Sequence, residues 1–373
     1  MKTLIITLEY PPQIGGIASY VLNLANHLPS KDIIVYAPKQ EGDKEFDATQ
    51  VFKTLRAKPY WLLWPRWLRL LWQIKKIVKK EHPGMLYIQQ VLPVGYVAYV
   101  IKKLYKIPFT IFLHGTDVTL ATRPGRKQKK FNALCASATK IIVNSNFLKE
   151  KLLTSAPDVD PAKVAVMYPC PADLFLNQVP IEEISKTKST LALAGKKIIL
   201  TVSRLAEGKG LPRLVGYLPK ILERVPNAVW LIVGDGPKRS MLLDLIQKNS
   251  LQNVVRFVGP VAQADLPRFY QSADVFVLLT HKDEEAEEGL GVAFLEAAAS
   301  GLPVVAGKVG GVEEAVEHLQ TGLVVDPYQE IAVVNDIAEL LLNPDFAKQM
   351  GAAGRERIRR QFNWKTEITK LFV

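Results

Sequence analysis

A glycine-rich run with two glutamates, residues 287–311, is the part of the sequence best suited to bind a small ligand. Glu288 is followed at once by Gly289-Leu290-Gly291, and a helical run, Val292–Ser300, begins after these glycines. Glycines let the backbone approach a ligand closely, and the first N–H groups of a helix are unpaired donors that favour an anion. Glu296 follows eight residues after Glu288, which at 3.6 residues per turn predicts a position about two turns further along the same face. The arrangement suits a ligand that carries both phosphate and hydroxyl groups.

Two cations at the end of another strand strengthen this interpretation. Taken alone, the glutamates and glycines also fit an ordinary βα connection with surface carboxylates, because short glycine motifs are common. The strand Lys197–Val202 runs into SRLAEGKG, where Arg204 and Lys209 flank a short turn ahead of the next helix. Arginine offers planar, bidentate contacts to phosphate, and lysine offers a point charge. Either cation singly also fits a solvated surface position, but a facing carboxylate and glycines weaken that explanation.

Other strand ends carry glycines that are further candidates for contact with a ligand. Gly15-Gly16 precede a helix, and taken alone they are better explained as a plain βα turn than as a phosphate cradle. The turn 234–237 begins at Gly234 and places a proline at a helix N1 position, so a structural role is favoured for its Asp235. Gly259 ends a strand shortly before Val261, and the backbone there is a candidate for binding the edge of a base.

One histidine stands out in the first half of the chain. The strand Phe109–Leu113 ends in His114-Gly115-Thr116-Asp117, so His114 follows a buried strand in a glycine-containing loop. Most isolated histidines are structural, but the other four lie in less suggestive contexts: His27, His82, His281 and His318. We therefore take His114 as the best polar candidate of the first half.

The order of strands and helices predicts an α/β protein. The strand candidates are Lys2–Leu8, Ile33–Tyr36, Met85–Gln89, Phe109–Leu113, Lys140–Val143 and Val164–Met167, then Lys197–Val202, Val229–Val233, Val254–Val258, Val275–Leu278, Pro303–Ala306 and Gly322–Val325. Helical stretches fill the gaps, and this βαβα order is typical of doubly wound parallel sheets. We expect two Rossmann-like domains with a cleft between them and ligands at the carboxyl ends of the strands.

A change in amino-acid composition after Pro169 predicts the domain boundaries. Prolines and the polar run SKTKS make residues 171–196 read as a linker. Residues 1–170 then form the first domain and residues 197–359 the second. We expect the C-terminal helix, residues 360–373, to pack back and complete the first domain.

The bulk composition predicts a folded protein of the cytoplasm. Hydrophobic residues make up 48% of the chain and charged residues 23%, which excludes a disordered chain. No apolar run reaches the ~18–20 residues that a membrane span needs, and Glu9 comes too early for a signal peptide. Two cysteines, Cys135 and Cys170, in different contexts predict a reducing compartment without a disulfide framework.

The positive charge is unevenly distributed along the chain. Residues 1–180 hold 25 Lys and Arg against 12 Asp and Glu, whereas the remainder holds 23 against 24, so the positive excess lies in the first half.

A tryptophan-rich basic segment, Trp61–Lys80, indicates where that charge is used. Four of the six tryptophans lie in residues 59–80, and residues 51–80 contain no acid. A helix that begins near Pro65 would have one apolar arc, formed by Trp67, Leu70, Leu71, Ile74, Ile77 and Val78. The opposite arc would be basic, formed by Arg66, Arg69, Lys76 and Lys80. Leu68 and Trp72 then lie beside Lys75 and Lys79 at the boundary, a pattern that favours contact with an anionic membrane surface. A domain helix with a buried arc and a solvated basic arc is the plainer alternative, and both can hold at once.

With these motifs in place, the chain resembles the retaining glycosyltransferases of family 4, in particular phosphatidylinositol mannosyltransferases and related lipid glycosyltransferases. The resemblance covers nearly the whole chain, except for a segment between residues 40 and 80. It is most specific in SRLAEGKG, VGDGP, FVG, EEGLGVAFLEAAASGLPVVAG, GGVEE and TGLVVDP, and in the first half it rests on the glycine loop and HGTDV. The acidic run 283–288 departs from the family pattern, but the spacing to Glu296 favours Glu288 as the acid facing the donor.

The resemblance implies a two-domain GT-B fold that binds a nucleotide sugar mainly through the second domain. It implies the following roles: Arg204 and Lys209 hold the diphosphate, Glu288 contacts the donor sugar, Glu296 holds the ribose hydroxyls, the backbone of Leu290, Gly291 and Val292 holds the phosphates, Gly16 contacts the diphosphate, and His114 contacts the transferred sugar. It implies no divalent metal and no other cofactor.

The resemblance also indicates the donor, the acceptor and the place of action. GDP-mannose is the first choice of donor, followed by UDP-glucose and UDP-N-acetylglucosamine. A glycolipid or lipid-linked glycan is the expected acceptor, reached from the inner face of the cell membrane.

Two other functions are alternatives. A nucleotide-sugar epimerase of the same fold is an alternative that would not need the basic tryptophan segment. A nucleic-acid-binding protein would use the positive charge but lacks a nucleic-acid-binding module, so we expect no nucleic acid partner.

Overall fold

The chain forms two compact units. The computed structural model describes residues 1–58, 67–115, 118, 125–283 and 287–372. The first unit combines Met1–Pro169 with the C-terminal segment that begins at Trp364, and the second unit is Cys170–Asn363.

In its described residues, the first unit is built on a parallel sheet of seven strands in the order β3-β2-β1-β4-β5-β6-β7. The strands are β1 (Thr3–Ile6), β2 (Ile33–Pro38), β3 (Lys53–Ala57), β4 (Met85–Ile88), β5 (Phe109–Leu113), β6 (Lys140–Val143) and β7 (Val164–Val166). The described helices are α1 (Gly16–His27), α2 (Asp43–Ala48), α3 (Trp67–Glu81), α4 (Val94–Tyr105), α5 (Arg126–Ser137) and α6 (Asn146–Ser155). A short helix, Trp364–Glu367, belongs to this unit and stacks the Trp364 ring 5.6 Å from the His27 ring of α1. Most central strands are buried on both faces, which explains their continuous apolar sequences.

The second unit repeats this architecture with six strands in the order β10-β9-β8-β11-β12-β13 within its described residues. The strands are β8 (Lys197–Val202), β9 (Ala228–Val233), β10 (Val255–Gly259), β11 (Val275–Leu278), β12 (Val304–Gly307) and β13 (Gly322–Val325). The described helices are α7 (Ile181–Thr190), α8 (Leu211–Arg224), α9 (Arg239–Lys248), α10 (Leu266–Ser272), α11 (Val292–Ala299), α12 (Val312–Ala315), α13 (Glu330–Leu342) and α14 (Pro344–Gln361).

The structure differs from the sequence prediction in two places. The prediction misses β3, because this strand pairs with β2 at the edge of the sheet and none of its residues is fully buried, so it shows no apolar run. Residues 171–196 are part of the second unit rather than a separate linker, and they contain α7 and a 3-10 turn, Asp173–Leu176. The prolines do mark turns there, but the fully buried Phe175 anchors the segment to the domain.

Each sheet reverses its strand order at one point, and the candidate residues follow the strands at those points. The reversal lies between β1 and β4 in the first unit and between β8 and β11 in the second. Ligands of open parallel sheets bind outside the carboxyl ends of the strands at such a point. Arg204 and Lys209 follow β8, and Glu288 follows β11, so strand order alone brings these side chains to one place.

Candidate active site

A cation and a carboxylate meet at the switch point of the second unit. The Nζ atom of Lys209 lies 2.6 Å from Oε2 of Glu288, and their side chains are 28% and 18% exposed. These residues are 79 positions apart in the sequence. A lysine ammonium suits a phosphate oxygen, and a carboxylate accepts hydrogen bonds from sugar hydroxyls. The pair therefore places both kinds of group that the sequence predicted at one point.

The second glycine pair holds the backbone of Glu288, a role that the sequence reading missed. The Gly311 N–H donates to the carbonyl oxygen of Glu288 at 3.1 Å. Gly310 has φ +58°, and a Cβ atom on it would lie 2.0 Å from the same carbonyl oxygen. A side chain at Gly310 would thus displace Glu288. The signal was present as two adjacent glycines after β12, but only the fold shows what they approach.

The helix after Glu288 begins at Val292, as its sequence predicts. Gly291 has φ +92° and occupies the N-cap of α11 without a side-chain cap, so the helix starts at Val292. A Cβ atom on Gly291 would lie 2.3 Å from the Phe294 ring, which requires glycine here. Glu288 therefore lies outside α11, and the expectation that it shares a helix face with Glu296 is wrong. The helix start still offers its first backbone N–H groups, including that of Val292, four positions after Glu288.

The acidic run ahead of this helix is described only in part. Residues 284–286 lie outside the described residues, and the structure describes Asp283, Glu287 and Glu288. Two contacts therefore support Glu288 as the acid that faces a ligand. Its side chain pairs with Lys209, and its backbone carbonyl accepts a hydrogen bond from the Gly311 N–H.

Glu296 is buried at 7% exposure and is already hydrogen-bonded. The hydroxyl of Tyr270 donates to its Oε2 atom at 2.9 Å. Burial raises the pKa of Glu296 to about 7, and hydrogen bonds from Tyr270 and Gln263 act in the opposite direction. Near neutral pH this carboxyl group therefore carries a partial charge, unlike an ordinary surface glutamate.

The loop that carries Arg204 is fixed by its neighbours, while the arginine itself is exposed. The Leu205 N–H donates to the Asp235 carbonyl at 3.0 Å, and the Lys238 N–H donates to the Leu205 carbonyl at 2.9 Å. Gly234 has φ +129°, and a Cβ atom on it would lie 2.0 Å from the Ser203 carbonyl oxygen. Arg204 thus projects from a rigid turn.

This packing by itself explains the glycine at position 234, and its contact with a ligand stays a prediction. Its N–H donates to the Gly259 carbonyl at 2.8 Å, so these two backbone groups satisfy each other. Gly259 itself has φ +87°, and a Cβ atom on it would meet nothing within 4 Å. The space beside Gly259 is therefore open, as a site for a base requires, and Val261 is half-buried.

His114 in the first unit is paired with a residue that the sequence reading did not single out. Its Nε2 atom donates to Oε1 of Gln89 at 3.2 Å, and the Tyr20 ring lies edge-on at 5.0 Å. Gln89 follows β4 and is fully buried. Burial lowers the pKa of His114 to about 4, so the ring is neutral at pH 7. A neutral ring at a strand end can contact a sugar without adding charge.

Packing requires a glycine at neither position of the glycine loop in the first unit, Gly15-Gly16. Gly15 is extended, with φ 169°, and caps α1. Gly16 is the exposed first residue of α1, and a Cβ atom on it would meet nothing within 4 Å. Neither packing nor backbone strain demands a glycine at position 16, which favours close approach of a ligand as the reason.

We expect Gly16→Ala to separate these explanations. Stability should stay the same or rise by up to about 1 kcal/mol, because alanine favours a helix more than glycine does. Affinity for a nucleotide diphosphate should fall about tenfold or more if the ligand approaches this backbone. Melting curves and calorimetry measure both quantities. Gly216→Ala is the matched control, because Gly216 also lies in a helix with nothing within 4 Å of a built Cβ atom. Equal loss of affinity in both variants, or in neither, would remove Gly16 from the site.

The described residues contain no group of three or more His, Cys, Asp and Glu arranged to hold a metal ion. The expectation of a reaction without a divalent metal stays a prediction.

Two family models match most of the chain. The model for Glycosyltransferase Family 4 matches residues 14–170, and the model for Glycosyl transferases group 1 matches residues 183–357. This chain belongs to glycosyltransferase family 4. The predicted class of protein, a glycosyltransferase of the hexosyltransferase type, is confirmed.

Curated relatives of this family 4 glycosyltransferase match it from end to end. It is 29% identical to the GDP-mannose-dependent alpha-(1-6)-phosphatidylinositol monomannoside mannosyltransferase of Mycobacterium tuberculosis, over 99% of this chain and 97% of the relative. It is also 29% identical to the GDP-mannose-dependent monoacylated alpha-(1-6)-phosphatidylinositol monomannoside mannosyltransferase of Corynebacterium glutamicum, over 98% of this chain and 95% of that one.

Solved structures confirm the fold of this family 4 glycosyltransferase. Anabaena Alr3699/HepE in complex with UDP-glucose superposes with a TM-score of 0.86 at 19% identity, covering 100% of this chain and 99% of that chain. Sucrose-phosphate synthase from Thermosynechococcus elongatus superposes with a TM-score of 0.83 at 22% identity, covering 100% and 97%. The prediction of two Rossmann-like domains in a GT-B fold is confirmed.

Proposed function

We propose that this enzyme transfers mannose from GDP-mannose to a membrane-associated glycolipid with retention of configuration. The ion pair of Lys209 and Glu288 beside the start of α11 is the observation that carries the proposal, because it joins a phosphate-binding cation and a sugar-binding carboxylate. The donor and the acceptor class follow from the full-length relatives, which are named as GDP-mannose-dependent mannosyltransferases of phosphatidylinositol mannosides.

The chemistry of the reaction assigns a role to each group of the second unit. Cleavage of the donor leaves a negative diphosphate and a sugar with oxocarbenium character. Arg204, Lys209 and the N–H groups at the start of α11 stabilise the leaving diphosphate, and loss of one such donor typically costs ~3–4 kcal/mol. Glu288 accepts hydrogen bonds from the hydroxyls of the transferred sugar. These bonds fix the orientation of the sugar and so of its bond to the diphosphate, which breaks. Glu296 holds the ribose, and the backbone near Gly259 and Val261 holds the base.

The first unit contributes residues of the complementary kind. Gly16 admits the diphosphate to the start of α1, where N–H groups favour an anion. His114 contacts the transferred sugar as a neutral ring, which its lowered pKa of about 4 ensures across the physiological pH range. No divalent metal and no further cofactor take part in the proposed reaction.

A basic helix of the first unit is the proposed contact with the membrane that holds the acceptor. On α3, Leu70, Ile74 and Val78 are buried in the core, as predicted. Trp72 is 57% exposed and Leu68 is 46% exposed, although both are large and apolar. The remainder of the predicted membrane segment, residues 61–66, lies outside the described residues.

The charges around α3 fit an anionic surface. The Nζ atom of Lys76 lies 3.5 Å from the centre of the exposed Trp72 ring. Helices α3 to α6 together carry 13 Lys and Arg against 2 Asp and Glu in their described residues. Tryptophan and lysine at a boundary are typical of interfacial helices. None of the described helices is long and apolar enough to cross a bilayer. From the exposed Trp72 and the basic surface we propose peripheral attachment at the cytoplasmic face.

A thermal-shift comparison of GDP, UDP and ADP tests the donor. A ligand at 100 times its dissociation constant stabilises the folded protein by ~2.7 kcal/mol, so the preferred diphosphate should raise the melting temperature measurably. We expect GDP to give the largest shift. Incubation with GDP-mannose and vesicles containing phosphatidylinositol mannoside should then yield a mannosylated lipid. Stabilisation by UDP in place of GDP, without transfer from GDP-mannose, would overturn the proposed donor.

Single variants connect that shift to the proposed site. Arg204→Ala and Lys209→Ala should each reduce the shift with GDP and lower turnover, because each removes a cation from the diphosphate. Lys238→Ala is the matched control, since Lys238 is a nearby lysine that pairs with Glu207 at 2.5 Å. An unchanged GDP affinity in both Arg204→Ala and Lys209→Ala would remove these cations from the site.

A further inference from the structure

A buried tyrosine outside the family motifs, Tyr270, is hydrogen-bonded to Glu296, the carboxylate that we propose to bind the ribose. Tyr270 lies on α10, is fully buried, and donates its hydroxyl to Oε2 of Glu296 at 2.9 Å. Glu296 lies on α11, 26 positions away in the sequence. A hydroxyl that donates to a buried carboxylate is a charge-assisted hydrogen bond, and it limits the rotation of the carboxylate.

Aromatic packing holds the Tyr270 ring in place. The Phe175 ring lies edge-on at 5.7 Å with an interplanar angle of 81°, and the Phe276 ring lies at 5.7 Å with an angle of 33°. Phe175 and Phe276 are both fully buried. The tyrosine therefore has little freedom to turn its hydroxyl away from Glu296.

The segment that carries Phe175 is fastened to the same helix. The side-chain oxygen of Gln271, the residue after Tyr270, accepts from the Val179 N–H at 2.9 Å. The Gln271 side-chain nitrogen donates to the Asn177 carbonyl at 2.7 Å. Residues 175–179 are thus bound to α10 by a ring contact and two hydrogen bonds, which explains why this stretch folds with the second unit.

We propose that Tyr270 is a positioning residue for donor binding. Its hydroxyl fixes one oxygen of Glu296, so that the remaining acceptor positions of the carboxylate meet the ribose hydroxyls in a defined orientation. A carboxylate has about four acceptor positions, of which Tyr270 occupies one and Gln263 a second. This inference rests on the proposed function, in which Glu296 holds the ribose.

The same hydrogen bond favours the charged form of Glu296. Burial raises the pKa of this group, whereas Tyr270 and Gln263 lower it. Two arginines of α14 near this helix are engaged elsewhere: Arg355 donates to the Leu176 carbonyl, and Arg357 donates to the Glu314 and Ala315 carbonyls. Removing the Tyr270 hydroxyl should therefore raise the pKa of Glu296 further and shift its charging to higher pH.

The test is a double-mutant cycle measured by calorimetry between pH 6 and pH 8.5. GDP and UDP both serve as probes because they carry the same ribose, so the result does not depend on the base. In the wild-type protein, affinity should rise about tenfold from pH 6 to pH 8, because the carboxyl with a pKa of about 7 becomes ionised. Tyr270→Phe should weaken binding about tenfold at pH 7. It should also move the pH midpoint upward and raise KM with little change in kcat.

The cycle separates positioning from packing. In a Glu296→Gln background, Tyr270→Phe should cause no further loss of affinity, because its effect passes through the carboxylate. Tyr87→Phe, a change at a buried tyrosine of the first unit, should leave affinity and midpoint unchanged. The midpoint is a property of folded molecules, so a lowered melting temperature does not obscure it.

Each outcome decides one of the two claims. Wild-type affinity in Glu296→Gln would overturn the ribose assignment and with it the inference. Weak binding in Glu296→Gln together with a wild-type midpoint in Tyr270→Phe would overturn the inference alone. Additive losses in the double variant would also overturn it, because they would show that Tyr270 acts independently of Glu296.

Discussion

Replacing Glu288 with glutamine is expected to lower the rate of transfer on the order of 10²–10³-fold while the fold stays intact. A preorganised polar group that acts on the reacting centre is typically worth this much. Glutamine keeps the size of the side chain but loses the charge that pairs with Lys209 at 2.6 Å. The affinity for the free nucleotide diphosphate should persist, because Lys209 and Arg204 remain. Single-turnover rates with GDP-mannose and a melting curve measure the two expectations.

Glu287→Gln provides the control for this variant. The neighbouring residue has the same chemistry, but the backbone hold of Gly310-Gly311 and the ion pair both act on Glu288. We expect the control to retain most of its activity. Full activity in Glu288→Gln with a normal melting curve would exclude Glu288 from the reaction, and loss in Glu287→Gln alone would transfer the role to its neighbour.

The second large effect is expected at the membrane contact. The triple variant Trp72→Ser, Lys75→Glu and Lys79→Glu should no longer sediment with anionic liposomes. Each basic residue near such a surface contributes ~1 kcal/mol, so reversing two charges changes binding by about 4 kcal/mol, on the order of a thousandfold. Loss of the exposed Trp72 indole weakens it further. Salt should weaken binding of the wild-type protein, since the attraction decays within a Debye length.

A variant with the same change of charge on the other unit tests whether position matters. Ile181→Ser, Lys186→Glu and Lys188→Glu remove one exposed apolar side chain and reverse two lysines on α7. This variant should bind vesicles like the wild-type protein. Both triple variants should still bind GDP, because neither touches the proposed donor site. Vesicle binding by the Trp72 variant equal to wild type at low salt would leave α3 with a structural role only.

The sequence by itself determined the architecture of each unit and most of the groups proposed for chemistry. Apolar strands separated by helices and punctuated by glycine and proline are local signals, so most strands could be placed from their own residues. The same signals placed Arg204 and Lys209 after β8 and Glu288 before α11. Prediction failed where the local signal was weak. The half-exposed edge strand β3 has no apolar run, so its sequence does not indicate a strand. Phe175 is a single buried residue and does not by itself indicate that residues 171–196 fold with a domain.

The tertiary structure decided which of these groups meet. Lys209 and Glu288 are 79 positions apart, and they pair because β8 and β11 are neighbours at the switch point of the sheet. Strand order also sets Gln89 against His114 and brings Gly310 to the carbonyl of Glu288. The depth of Glu296, and hence its raised pKa, depends on helices packed around it and not on its own sequence neighbours. A local pattern records the period of one element, whereas contacts between elements depend on strand order and packing, which no single stretch of residues encodes.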